Sequence, residues 1–487
     1  MLIPKSSFKV LEDTRPDDVS LPAFMVSTTR GFLPRMNPVV SLPREFDAVE
    51  ELLRRMPVST QSGRPGLLAT GQLGDEVQRL PDLTEEVEKY RDNLPLMNAL
   101  YRDYSFLASA YLLEPCHVRF VEGEPYGLGR SFLPAQLSRP IARCAELTGF
   151  KPFMEYAGSY ALFNYRLEDP ERGVEYDNLR LIRAFEHGLD PSSSEAGFVL
   201  VHVDMVRNSG PIVAGAMAAL SALENAAGAD PAARRRAFNA GLRGVLDGMR
   251  RVNEVMETMW GKSKPRSYTG FRTFIFGITS QSMFPDGVVY EGVDGGRPLS
   301  FRGESGANDS MIPLLDNLLQ IEMPSTPLTE ILRDFREYRP SNHRRFLAEV
   351  KRCAEDLGAK DYALGAGGGE PADAPELLES RRLWIGLLDQ VRDFRWRHWC
   401  FAREYILKQT SHPTATGGSP IVTWLPNQLQ AVMEEMVEVY GRVGGGDGPA
   451  DLGAGCREVM DRVHRQRDTL RKEVDKYCRE RGVDVRG

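Results

Sequence analysis

His398 sits in the middle of VRDFRWRHWCFAREYIL, residues 391 to 407, a stretch crowded with arginine and aromatic side chains. Leu387, Val391, Phe394, His398, Phe401 and Tyr405 recur at steps of three and four, which lines them along one helix face. An imidazole on such a face has two uses. It is either a core side chain hydrogen-bonded to a neighbour or an axial ligand, the usual way an iron porphyrin is held. Spacing alone leaves both open. His202 and Asp204, in FVLVHVDMV, have the H-x-D order of a non-haem iron facial triad, which needs a second histidine further on. The next one, His343 in SNHRRF, has no strand pattern around it, so a buried His202 with a polar partner is the plainer reading. Arg272 lies among aromatics in GFRTFIFG, where a guanidinium is costly unless paired. It is either half of a structural ion pair or a bidentate clamp for a substrate carboxylate. SFRGESGANDS, residues 300 to 310, lacks both the GK[ST] ending of a phosphate loop and the spacing of a dinucleotide fingerprint. Its small residues let backbone N–H groups approach a ligand, or simply cap the next helix. TATGGSP, residues 414 to 420, reads as a hinge.

The elements that must position these residues are mostly helical. The chain has 487 residues, 42% hydrophobic and 26% charged, the make-up of an ordinary globular protein of two domains or one extended one. A net charge of −7 argues against general nucleic-acid binding. No apolar run is long enough to span a bilayer, and MLIPKSSFKV lacks a signal-peptide plan, so a cytoplasmic location without membrane attachment is expected. Six widely spaced cysteines form no CxxC pair and read as reduced thiols; without C-x-x-C-H, a haem would not be covalently attached by the usual motif. Residues 1 to 45 suggest an extended proline-rich arm, with a helix following near 45 to 56. Helical patterns cover 75 to 115, broken or restarted at Pro95, then LPAQLSRPIARCAELTG, and 212 to 260 with a break at AGADP. GFVLVHVDMV is too short and apolar to tell strand from buried helix, and 267 to 284 is equally open. MIPLLDNLLQI and TPLTEILRDFREY read as helices, the second with Thr326 and Glu330 near its start. Residues 363 to 375 and GRVGGGDGPADLGAG read as flexible linkers. A last charged helix, about 456 to 481, carries Val463, Leu470, Val474 and Tyr477 as a short heptad-like seam, which suits a docked, self-associating or solvated helix.

Taken together, FPDGVVYEG, FRGESGANDSMIPLLDNLLQI, REYRPSNHRRFL, the His398 helix and ATGGS, in this order and at these intervals, resemble the indoleamine 2,3-dioxygenase family. The resemblance runs from GFLPRMNP near residue 31 to about 440 and leaves out the last helix. It implies an all-α haem dioxygenase fold: an arm and small distal domain over 1–188, a large haem-binding domain over 189–440, and a linker and helix extension over 441–487. It implies a non-covalent haem b with His398 as axial ligand, since a family histidine is likewise followed eight residues later by an Ile-Leu pair, here Ile406-Leu407. Arg395 and Asp316 match a charged pair near the propionates, and Ser305, Gly306 and Ala307 match the loop over the haem edge. Tyr156, Ser159 and Phe198 match residues enclosing the indole, Arg272 the arginine for the substrate carboxylate, and Thr416 the mobile threonine loop. That loop is shorter than in the animal enzymes, which implies a lid that moves differently. The implied reaction adds both atoms of O2 across the indole C2=C3 bond of L-tryptophan or a related indoleamine, giving N-formylkynurenine. It requires an electron donor to keep the haem ferrous and is compatible with a monomer or dimer.

The sequence also departs from the family pattern. His202 replaces a serine of the mammalian enzyme; the related tryptophan 2,3-dioxygenases carry a distal histidine, so an imidazole there suits the chemistry, as acceptor for the indole N–H or partner of the bound oxygen. Ser267 replaces a phenylalanine, with Tyr268 beside it. Glu304 and Asp309 add carboxylates expected near the mouth, facing a substrate ammonium or a water. These changes point also to a biosynthetic superfamily member acting on a modified indole or aromatic amino acid. A non-catalytic O2 or haem carrier is disfavoured, because it would need no carboxylate clamp.

Overall fold

The computed structural model describes residues 8–224, 230–324, 327–366, 371–444 and 452–483. Helices dominate, as the sequence predicts; the five strands among the described residues are two or three residues long and form one three-stranded and one two-stranded sheet. The centres of both glycine-rich stretches, and Thr326, lie outside the described residues.

Where proline and cap residues fall decides the boundaries. The pattern over 75 to 115 divides into Leu73–Val77, Thr84–Lys89 and a long Leu94–Val121 helix. Pro95 begins this last helix rather than breaking it: it occupies the first turn, where no N–H partner is lost, and the Asn93 side chain accepts from Leu96 N at 3.1 Å. The helix is buried almost all round and packs on Ala135–Thr148 and on the π-helical turn Tyr156–Tyr160. GFVLVHVDMV is a helix, Ser194–Val206, because Ser193 supplies its N-cap, accepting from Ala196 N at 3.1 Å. Its lack of periodicity follows from burial on several sides. Pro265 likewise starts the helix Pro265–Arg272, and a 3-10 turn, Thr273–Ile275, follows it, so the open segment at 267 to 284 holds no strand.

Ser209–Glu224 and Pro231–Glu257 form a helical hairpin drawn together at glycines: a Cβ on Gly241 would meet Ala219 N at 2.5 Å. Against this hairpin packs Pro375–Phe401, the helix that carries His398; it continues as a π-helical turn, Ala402–Leu407, and then packs on Ile421–Gly444. The last helix, Ala454–Arg481, is docked. Val463, Leu470 and Tyr477 of its seam are buried, Trp399 Nε1 donates to Glu473 at 2.6 Å, and Arg392 Nη1 donates to Gln466 at 2.5 Å. At its end Arg481 donates to the carbonyls of Leu407, Thr410, Ser411 and His412, the segment from which the Thr-Gly-Gly loop departs. Of the three roles open to this helix, docking is the one the seam serves.

Candidate functional site

Several helices and two loops converge on a cavity with about 1110 Å³ free of protein atoms. His202 reaches it from Ser194–Val206, His398 from Pro375–Phe401, and Trp424 and Leu425 from Ile421–Gly444. Ser305 and Gly306 enter from one loop, Ala415 and Thr416 from the other. A smaller space of about 550 Å³ shares Gly306, Asp309, Phe394, His398, Trp424 and Leu425 with it and adds Ala307, Asp316, Arg339 and Arg395, so the two are parts of one slot.

Both imidazoles are neutral at physiological pH. Burial is the main cause for His398, with His202 and Arg395 adding to it, and its pKa falls to about 4. Its ring makes no hydrogen bond among the described residues, which leaves a free nitrogen lone pair as an iron ligand requires. Burial also lowers the pKa of His202, opposed by Phe198. His202 Nδ1 lies 2.8 Å from Phe198 O. A carbonyl only accepts, so Nδ1 carries the hydrogen and Nε2 turns a lone pair toward the Gly306 backbone, where a Cβ would lie 3.8 Å away.

At the other edge Arg395 Nη2 donates to both Asp316 oxygens at 3.0 and 2.8 Å, while its Nε and Nη1 are buried without a partner. Burial raises the pKa of Asp316 even though Arg395 opposes it. Arg339, which the sequence reading missed, is buried next to this pair and donates to Asp309 O at 3.0 Å and Ala307 O at 2.8 Å, holding the loop in place. It lies in the quoted motif REYRPSNHRRFL, but nothing in its spacing marks it as pointing inward. Trp424 Nε1 and Gln428 Nε2 are further buried donors without partners. A neutral imidazole on the packed face, apolar walls from Met256, Met259, Phe401 and Leu425, and orphaned cationic nitrogens at one edge fit a flat apolar macrocycle with acidic edge groups, which a haem is.

Tyr156, Phe198 and Tyr268 wall the opposite part of the cavity. Arg272 is fully buried behind this wall rather than lining it. Its Nη2 donates to Thr414 O at 2.8 Å, its guanidinium covers the Phe276 ring at 4.5 Å, and Nε and Nη1 have no partner. Ser159 is turned away, donating to Glu155 O at 2.7 Å and accepting from Glu155 N at 2.8 Å. The Thr-Gly-Gly loop is latched: Gln281 Nε2 donates to Ala415 O at 2.7 Å, Gly277 N to Thr416 O at 2.9 Å, and Arg302 Nη1 to Gly417 O at 2.9 Å. Thr416 Oγ1 donates to Glu304 O at 2.7 Å, and Gly418 takes a positive φ of 83° that only glycine adopts freely. Glu304 itself is 2% exposed and lies in the cavity wall, not at a rim.

The facial-triad arrangement is not assembled. Asp204 pairs with Arg207, and His343 packs on Phe24 and Phe32 with Nδ1 3.1 Å from Ser310 Oγ. Among the described residues no three His, Cys, Asp or Glu side chains are grouped to hold a metal ion. No described helix is long and apolar enough to cross a membrane.

Comparison with known proteins agrees with this geometry. The chain is 27% identical to indoleamine 2,3-dioxygenase 1 of Rattus norvegicus over 291 residues, 59% of this chain and 65% of that enzyme. It is 27% identical over 417 residues to an indoleamine 2,3-dioxygenase of Aspergillus nanangensis, 83% of this chain and 91% of the relative. A 6-hydroxytryptophan 2,3-dioxygenase of Fusarium equiseti is 24% identical over 331 residues, 67% of this chain and 73% of the relative. The indoleamine 2,3-dioxygenase family model matches residues 20–469, starting ahead of GFLPRMNP and reaching well into the last helix, beyond the limits the motifs suggest. With a match across nearly the whole chain, the protein belongs to the indoleamine 2,3-dioxygenase family.

Proposed function

We propose that this chain binds haem b through His398 and opens the indole ring of tryptophan or a related indole amino acid with both atoms of O2. The observation that carries the reading is the single slot shared by two neutral imidazoles, with unpartnered Arg395 nitrogens at one edge. A bound haem supplies O2 binding and activation at its iron, kept ferrous by an external electron donor.

The remaining tasks fall to the chain. Arg395, seconded by Arg339, neutralises the acidic edge of the macrocycle. The rings of Tyr156, Phe198 and Tyr268 hold the indole, and His202 Nε2, a lone-pair acceptor, takes the hydrogen bond from the indole N–H. Arg272 receives the substrate carboxylate on the edge formed by its free Nε and by Nη2, which Thr414 O holds until the substrate enters, and the Thr414–Gly418 segment covers that end and excludes water. Residues 1–188 form the distal cover and 189–440 the haem-holding body. Because Arg272 Nη2 is engaged by Thr414 O, substrate entry requires this loop to lift.

The test is turnover of reduced, haem-loaded protein with L-tryptophan under labelled O2, read by mass. Product carrying both labelled atoms, and loss of the Soret band in His398→Ala, are expected. A His398→Ala protein that retains haem with an unchanged spectrum would refute the ligand assignment.

A further inference from the structure

The segment that covers the Arg272 end of the cavity has a proline at each foot, Pro413 and Pro420. Between them Ala415 N donates to Ser419 O at 2.9 Å, Gly418 N donates to Ala415 O at 2.9 Å, and Thr414 pairs with Pro420 as an isolated bridge. The segment is a small closed turn between two stiff residues, so it lifts as one body on its two feet. The contacts at its tip, to Gly277, Arg302 and Glu304, must break each time it does. The feet must hold. The second foot is the start of Ile421–Gly444, where Ile421, Val422 and Trp424 are buried. The first, residues 408 to 412, is irregular backbone that follows the π-helical turn Ala402–Leu407.

A side chain from the far end of the sequence fixes this first foot. The last carbonyls of a helix have no donors of their own. Arg481 supplies one for Leu407 and extends the tie along the foot: its Nη2 donates to Leu407 O at 2.9 Å and Thr410 O at 2.7 Å, and its Nη1 to His412 O at 3.3 Å and Ser411 O at 3.5 Å. Arg481 is itself well placed. Tyr477 and Cys478, one turn earlier, are buried, and Glu473 accepts from Trp399 Nε1 at 2.6 Å and Arg403 Nη1 at 2.5 Å. From the foot the bonds run inward to the substrate arginine. His412 Nε2 lies 3.1 Å from Gln281 Oε1, which also accepts from Thr414 Oγ1 at 2.8 Å. The His412 ring meets Phe276 edge-on at 5.0 Å, and Arg272 covers that same Phe276 ring.

We propose that Arg481 is a positioning residue for the substrate: by fixing the first foot of the Thr414–Gly418 turn, it governs how fast that turn opens over Arg272. The proposal rests on the substrate role given to Arg272 above. It lies beyond the family pattern, because the family match ends at residue 469, ahead of Arg481. Thr414 O holds Arg272 Nη2 in the closed turn, so substrate enters and leaves through the lifted form. A looser foot populates that form more, which speeds both entry and exit. Damage to the fold alone would not speed entry.

The experiment uses full-length, haem-loaded wild type, Arg481→Ala, Arg481→Lys and Arg479→Ala, the last removing an exposed arginine from the same helix turn. Hydrogen exchange read by mass compares the segment 408–420 with 391–400 of the His398 helix. Stopped-flow shifts of the Soret band in the ferric protein give the association and dissociation rate constants for L-tryptophan. Arg481→Ala is expected to speed exchange in 408–420 roughly threefold or more, with 391–400 unchanged, and to raise both rate constants by a similar factor, so that Kd moves less than either. Arg481→Lys, a point charge in place of a planar fork, should fall between, and Arg479→Ala should match wild type. Unaltered exchange in 408–420 overturns the proposal. So does faster exchange in both segments alike, the mark of a merely structural role, or an association rate no faster than that of wild type. If L-tryptophan shifts the Soret band of none of the four proteins, the substrate reading of Arg272 fails, and the exchange comparison alone upholds or overturns the tie.

Discussion

Two groups of buried charge are built on opposite plans. In the first, Arg102 Nε donates to Asp103 Oδ1 at 2.8 Å, and Arg183 donates to the two Asp103 oxygens at 3.0 and 2.7 Å. Arg102 Nη1 also donates to the carbonyls of Val39 and Phe163, so of this guanidinium only Nη2 lacks a partner. Burial would raise the pKa of Asp103, but the two guanidinium groups outweigh it and the carboxylate stays ionised. In the second group, around the cavity, Arg272 and Arg395 each keep two unpartnered nitrogens, and the Glu304 carboxyl makes no hydrogen bond or ion pair among the described residues. Closed charge networks fix structure; open ones are completed by what binds. The contrast separates positions where a substitution should damage the fold from those where it should damage recognition.

The sharpest break in this contrast is Asp103→Ala. It leaves Arg102 and Arg183 without their shared counter-charge, and thermal or urea unfolding should show a loss of about 3–5 kcal/mol. The fraction that remains folded should keep its KM. Arg272→Ala should do the reverse, with little change in unfolding but a rise in KM for a carboxylate substrate that lowers kcat/KM roughly 10- to 150-fold, about 1.5–3 kcal/mol. An unchanged KM would remove Arg272 from substrate binding. The last effect is a slope against pH, and the variant changes only part of it. The Glu304 carboxyl has a folded pKa of about 8 against an ordinary 4.5, so the folded protein retains a proton that the unfolded chain has released across this window. Stability therefore falls as pH rises from about 5 to 8, by about 1.4 kcal/mol per pH unit for such a group. Glu155 and Glu195, also pushed up to about 8 by burial, contribute in the same direction. Glu304→Gln should flatten the slope of Tm against pH but not abolish it; an unaltered slope would mean that Glu304 is ionised in the fold.

Helical spacing was enough to put His398 on an inward face, and the family resemblance was enough to name Arg395 and Asp316 as a pair, which the structure joins by two hydrogen bonds. Other features could not be read in advance. GFVLVHVDMV had no period because it is buried on several sides, and its helix was decided by the cap at Ser193. Ser159 and Arg272 illustrate a second limit, since correspondence of position does not say which way a side chain turns. One closes a backbone turn and the other stands behind the cavity wall. Contacts across long separations were the least legible. Gln281 reaches the Thr-Gly-Gly loop over 134 residues, and no local pattern encodes such a partner.

Arg481 has a consequence for the order of assembly. It gathers the carbonyls at the base of the substrate loop from 71 residues downstream of Thr410. At the usual 5–20 residues per second of synthesis, roughly 4–14 s separate the emergence of the loop from that of its footing. In that interval the segment from which the Thr-Gly-Gly loop departs lacks the donor that later ties its carbonyls together, so this footing is among the last contacts of the described residues to form.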